Sequence, residues 1–294
     1  MNMELYIFDS RVCEVGEGPI SVGEHNEIVK WVDIMGSRVL SRNLLTGETS
    51  ELKTKEHVSF IIPCTNEDEI LGTANGPILL GKNGRETLLT TRLEADGETS
   101  SEPVRWNDAK VAPNGDLFLG SMAYSAAPKM GALYRMRIEN GVYTLKKMVS
   151  NTTISNGLAW SLDGKRMFYI DTPTLKIESF DFNDGELSNR QTCWQTRSAA
   201  DGTPDGMCVD SEGGIWVAFW SAGKVMRFDN EFKITDTIDV PTPLTTSVAF
   251  AGPNFRTLII TSAISDKSVG LENAGKTFMC EPGVSGLPTL KFPS

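Results

Sequence analysis

Residues 107–122 read "NDAKVAPNGDLFLGSM", and the pattern returns as "NGLAWSLDGKRMFYIDT" at 156–172 and "DGMCVDSEGGIWVAFW" at 205–220. Each copy opens on Asn or Asp, runs through a short apolar stretch, makes a glycine-containing turn and enters a second apolar stretch. Units of this kind predict paired strands joined by tight turns. Asn107, Asn156 and Asp205 follow one another at intervals of 49 residues. Weaker copies stand at 18–34 ("GPISVGEHNEIVKWVDI"), 58–74 ("VSFIIPCTNEDEILGTA") and 247–263 ("SVAFAGPNFRTLIITSA"). Six units of that length fill the 294 residues. A period of about 40–50 residues with about four strands per unit marks a β-propeller. The fold class expected is therefore all-β, a six-bladed β-propeller, with residues 1–294 as a single domain. The chain ends are expected to share a blade, "ELYIF" (4–8) lying beside "GKTFMCE" (275–281).

Within the strongest copy, Lys110 to Ala112 is expected to be a short strand, "PNGD" (113–116) a turn and "LFLGSM" (117–122) a second strand. "RWND" (105–108) is too polar and bulky for an ordinary turn and reads as the approach to the first strand. In a propeller the first strand of each blade lines the central channel, so equivalent positions form a ring. That ring is expected to contain Glu17, Ser59, Asn107, Asn156, Asp205 and Thr246. Carboxylates and amides crowded into a narrow channel are costly unless something satisfies them. Two carboxylates and two amide oxygens suit a hard divalent cation. Taken singly, each residue is a commonplace turn former; four in one register, each at a blade start, point to Glu17, Asn107, Asn156 and Asp205 as metal ligands. Trp106, Trp160, Trp216 and Trp220 are expected to pack between blades.

Composition narrows the alternatives. Hydrophobic residues make up 40% of the chain and charged residues 22%, which suits a globular core. The formal net charge of −10, without basic clusters, disfavours a nucleic-acid partner. No apolar run approaches the roughly 18 residues of a membrane helix, and "MNMELYIFDS" lacks a basic leader. The five cysteines are dispersed singly, as free thiols in a reducing compartment would be. A cytoplasmic protein with a small-molecule partner, no nucleic acid and no membrane is expected. Two histidines, His25 and His57, no G-x-S-x-G elbow and no zinc-spaced Cys/His set argue against a serine hydrolase or a zinc-thiolate site. "GKNGRE" (81–86) lacks the strand-to-helix context of a phosphate loop and reads as a hairpin. The polar segment 92–103 reads as a solvated loop long enough to serve as a lid.

The chain resembles the SMP-30/gluconolactonase/regucalcin-like (senescence marker protein 30) family of six-bladed propellers. The resemblance rests on "GEGP" (16–19), "RWNDAKVAPNGDLFLGSM" (105–122), "ISNGLAWSLDGKRMFYIDT" (154–172), "PDGMCVDSEGGIWVA" (204–218), "TSVAFAGPNFRTLIITSA" (246–263) and "EPGVSGLP" (281–288). It implies one divalent cation (Ca²⁺, Zn²⁺, Mg²⁺, Mn²⁺ or Fe²⁺) held by Glu17, Asn156 and Asp205, with Asn107 bearing on both metal and substrate and Arg105 on substrate oxygens. Relatives hydrolyse sugar lactones, and some are described as calcium-binding regulators. The activity expected is metal-dependent hydrolysis of an aldonolactone, such as a glucono-, arabinono- or xylonolactone, with Asp205 as general base. The alternatives are a regucalcin-like regulator and a hydrolase of a non-sugar ester or organophosphate. Three departures from the family pattern, Ser21, Ala109 and "AYSAAP" (123–128), are expected near the substrate pocket.

Overall fold

The computed structural model describes residues 3–90, 102–265, 268 and 270–293. The stretch read as a lid, 92–103, lies outside the described residues except for Glu102 and Pro103. Six four-stranded antiparallel sheets form the blades of a propeller. Their inner strands are Gly16–Val22, Val58–Pro63, Val104–Val111, Ser155–Trp160, Thr203–Val209 and Thr245–Ala251. These begin blades 1 to 6 in chain order. Each of the six repeat copies thus supplies the inner strand of one blade. "RWND" differs from expectation: it belongs to the inner strand of blade 3, which runs unbroken from Val104 to Val111.

Every inner strand carries the same irregularity. Against the second strand of its blade, pairing breaks after Glu17, Val58, Trp106, Ser155, Pro204 and Thr245, and resumes three residues later in each case. Two residues oppose one, which is a β-bulge. The extra residue bends the strand and frees two side chains from the strict in–out alternation. In blade 3 the bulged pair is Asn107–Asp108, which is why "RWND" is polar in the middle of a strand.

The hydrophobic core is divided into six wedges, each between neighbouring blades. Phe118 and Leu133 of blade 3 pack on Leu158, Tyr169 and Phe180 of blade 4. On the other face of blade 3, Leu117, Leu119 and Trp106 pack on Phe60 and Ile70 of blade 2. Both faces of the blade 3 sheet are therefore covered by its neighbours. Trp106, Trp160 and Trp216 lie in these wedges as expected, while Trp220 lies at a blade end, bridged to Leu244.

The ring closes between the chain ends. Tyr6–Asp9 adds as the outermost strand of blade 6, antiparallel to Thr277–Cys280. Phe8 enters the wedge of Trp31, Val29 and Ile259, and buried Asp9 accepts from the Arg11 guanidinium at 2.9 and 3.0 Å. The C-terminal segment then crosses the far end of the channel. Gly286 bridges Asp210 of blade 5, Thr289 approaches Ser21 of blade 1, and Phe292 bridges Cys64 of blade 2. Among the described residues no helix is long and apolar enough to cross a membrane.

Deleting residues 1–9 removes the Phe8 anchor, and losing a buried phenylalanine costs about 3 kcal/mol or more. The melting temperature is expected to fall by about 6 °C or more, read by thermal circular dichroism. A fall of only a few degrees would show that closure does not depend on this strand.

Candidate functional site

The bulges set the site. At the first bulged position stand Gly18, Ser59, Asn107, Asn156, Asp205 and Thr246. The register corrects the expected ring: Glu17 precedes that position by one residue, and Gly18 occupies it. Gly18 has a φ of 53°, a left-handed conformation that glycine adopts without strain. Its backbone N–H donates to Glu17 Oε2 at 2.9 Å, so the glutamate folds back over the slot that Gly18 leaves without a side chain. Ser59 and Thr246 are otherwise engaged. Their hydroxyls donate to the carbonyls of Trp106 and Gly16, each on the next blade, at 2.6 Å. The expected ring of six is an arc of Asn107, Asn156 and Asp205, with Glu17 approaching from blade 1.

The arc is tightly bonded. Arg105 Nη1 donates to Asn107 Oδ1 at 2.7 Å, and Asn107 Nδ2 donates to Asn156 Oδ1 at 2.7 Å and to the Ser155 carbonyl at 3.0 Å. Asn156 Nδ2 donates to Thr172 Oγ1 at 2.8 Å, and that hydroxyl donates to the Pro204 carbonyl at 2.9 Å. Gly157 is what lets blades 4 and 5 approach this closely, since a Cβ there would lie 2.5 Å from the Asp205 carbonyl oxygen.

The carboxylates are not so provided. Asp205 is 5% exposed and Glu17 9% exposed, and Asp205 Oδ1 is buried with no hydrogen-bond partner. Burial pushes the Glu17 carboxyl up to about 8, with the negative charge of Asp108 adding to it and the Gly18 amide and Arg105 opposing. Burial likewise holds Asp205 well above the ordinary carboxylate range, reinforced by Glu17 and Asp108 and opposed by Arg105. Asp108, the second residue of the blade 3 bulge, is raised by burial against the pull of Lys110. Three buried carboxyls thus face one nearby arginine, an excess of negative charge that a divalent cation would balance. Among the described residues no three acidic, histidine or cysteine side chains form a metal cluster by themselves. The oxygen set that fits a cation is mixed: Glu17, Asp205 with its unpartnered oxygen, and the amide oxygens of Asn156 and Asn107.

At the mouth, half-buried Arg105 lies over the Tyr124 ring with its guanidinium carbon 5.9 Å from the centroid. The Tyr124 hydroxyl is 2.9 Å from His57 Nδ1. Of the three departures from the family pattern, only "AYSAAP" borders this site, through Tyr124. Ser21 and Ala109 do not. They stand further along the inner strands, Ser21 beside Thr289 and Ala109 in the wall of a cavity of about 370 Å³ that Leu287 and Leu290 help to enclose. Alternation and the bulge carry those side chains past the carboxylates toward the opposite end of the channel. Sequence reasoning missed Asp108, Thr172 and Tyr124. The "ND" pair could have flagged Asp108 had the bulge been foreseen, whereas Thr172 lies in a one-turn 3-10 segment with no pattern of its own.

The profile described as the SMP-30/Gluconolactonase/LRE-like region matches residues 15–264. The regucalcin of Gallus gallus is 32% identical over 295 residues, covering 95% of this chain and 94% of the relative. YvrE of Bacillus subtilis (strain 168), provisionally named a sugar lactone lactonase, is 32% identical over 254 residues, covering 85% and 83%. Among solved structures, luciferin-regenerating enzyme superposes with a TM-score of 0.88 at 27% identity, covering 99% of this chain and all of that one.

The raised Glu17 carboxyl has a consequence for stability. Its folded-state value, about 8, exceeds the ordinary 4.5, so the native protein binds this proton more tightly than the unfolded chain does. Stability is then highest below about pH 4.5 as far as this group is concerned, and is lost as pH rises toward about 8. In chelator-treated protein, urea unfolding at about pH 5 and about pH 8 is expected to show this decline, and Glu17→Gln is expected to flatten it. Equal pH slopes for the two proteins would show that Glu17 is not buried as described.

Proposed function

Because the chain belongs to the SMP-30/Gluconolactonase/LRE-like family, we propose that it is a metal-dependent lactonase acting on a sugar lactone of the aldonolactone class. The observation that carries the reading is the unpartnered, buried Asp205 Oδ1 beside Glu17 and the two asparagines. Glu17, Asn156 and Asp205 would hold one divalent cation, with Asn107 alongside. Oxygen donors suit Ca²⁺, Mg²⁺ and Mn²⁺ and also admit Zn²⁺ or Fe²⁺. When bound, the cation supplies Lewis-acid polarisation of the ester carbonyl and charge for the tetrahedral oxyanion.

The protein's own groups do the rest. Arg105 and Asn107 would orient the ring oxygens, the arginine keeping further N–H donors beyond the one it directs at Asn107. Asp205 would hold the attacking water and take its proton as that oxygen bonds to the carbonyl carbon. The ester C–O bond then breaks, and the ring oxygen leaves as the alcohol by taking back the proton held on Asp205.

A binding role without turnover, as in a calcium-dependent regulator, is favoured by the 32% identity to regucalcin. Chelator-stripped protein supplied with single cations, and assayed for acid release from a panel of aldonolactones, separates these readings. Cation-restored turnover is expected, with Asp205→Asn lowering kcat at least about 100-fold and Glu17→Ala and Asp205→Ala abolishing it. Tight cation binding with no lactone turned over would instead support the regulator or the non-sugar substrate.

A further inference from the structure

We propose that Thr172 is a positioning residue that holds the carboxamide oxygen of Asn156 toward the channel; the inference rests on Asn156 being a cation ligand. A carboxamide has two chemically different ends of nearly equal shape, and only the oxygen can bind a cation. Something must therefore decide which end faces inward.

The decision is made by a hydrogen-bonded chain with one possible polarity. It starts at Arg105, whose guanidinium only donates, and ends at the Pro204 carbonyl, which only accepts. Between them, in order, lie Asn107, Asn156 and Thr172, linked at 2.7, 2.7, 2.8 and 2.9 Å. The single hydroxyl proton of Thr172 goes to Pro204, so its oxygen can only accept from Asn156 Nδ2. Turning the Asn156 amide over would bring its oxygen against that hydroxyl oxygen and its NH₂ against the NH₂ of Asn107. Asn107 cannot turn in compensation. Its oxygen is held by Arg105 and its NH₂ also donates to the Ser155 carbonyl at 3.0 Å. The blade 3 side of Asn156 is thereby fixed, and Thr172 is the matching anchor on the blade 5 side.

Burial makes the anchor matter. Thr172 is 8% exposed and Asn156 6% exposed, so an amide N–H left without the threonine oxygen finds no ready water. The residue also spans a blade boundary. It leaves the second strand of blade 4 and bonds to the first strand of blade 5, one residue before Asp205. One hydroxyl thus links the side chain of one proposed ligand to the backbone beside the other.

The test uses the full-length, chelator-stripped protein titrated calorimetrically with CaCl₂ and, separately, with MnCl₂. Thr172→Val, close in shape but without the hydroxyl, is expected to weaken binding about tenfold or more, and Thr172→Ser to stay within about threefold of wild type. In an Asn156→Asp background, where both oxygens are equivalent, the same Thr172→Val change is expected to lose no more than about threefold. Should Thr172→Val not fold, Thr172→Ala is read against Thr172→Ser in the same way. Wild-type affinity in Thr172→Val, an equal loss in Thr172→Ser, or a full loss in the Asn156→Asp background would each overturn the proposal. Wild-type protein that binds neither cation, and none of Mg²⁺, Zn²⁺ or Fe²⁺ either, overturns the metal-centre reading itself, and the role of Thr172 with it.

Discussion

Six strands converging on one channel cannot all keep a regular ladder and still present polar groups to its centre. The bulge resolves this in every blade at the same place, by setting two residues against one. Its first position delivers Asn107, Asn156 and Asp205 inward; its second delivers Asp108. Where the neighbouring backbone comes too close, the bulge needs a glycine, as Gly157 shows against the Asp205 carbonyl. Blade spacing, side-chain direction and the polarity of the channel all follow from that one irregularity.

The wedge cores make the arrangement rigid. Each blade packs on its two neighbours through these cores, so the carboxylates of blades 1 and 5 face each other because the intervening interfaces fix their angles. Closure through Phe8 and Asp9 is the last of these constraints. A propeller open at that seam would let Glu17 of blade 1 drift from its partners on blades 3 to 5. Fold stability and site geometry are accordingly coupled through the terminal strand.

Electrostatically the site is unbalanced while its hydrogen bonds are not. The amide oxygens are oriented by a chain running from an obligate donor to an obligate acceptor, whereas Asp205 keeps an oxygen with no partner. Burial raises the proton affinity of Glu17 and Asp205, the negative charge of Asp108 adds to both, and Arg105 opposes at each. A preorganised amide arc beside under-compensated carboxylates is an arrangement in which added positive charge is favoured and geometry need not be rebuilt to receive it.

The sequence by itself determined the class of fold, the number of blades, the seam between the chain ends and most of the site. These are legible because strand alternation, turn chemistry and a 49-residue period are local or repeating properties. Only the tertiary structure decided the rest. Glu17 sits one residue before the register of Asn107, because Gly18 takes the bulged position with a left-handed φ. Ser59 and Thr246, equivalent in sequence to the asparagines, are drawn off by carbonyls of the next blade. Ser21 and Ala109 face away from the carboxylates, and Thr172 reaches Asn156 from a different loop. The partners of Ser59, Thr246 and Thr172 could not be read along one strand, since each depends on how closely two blades pack, and that distance is set by the whole ring.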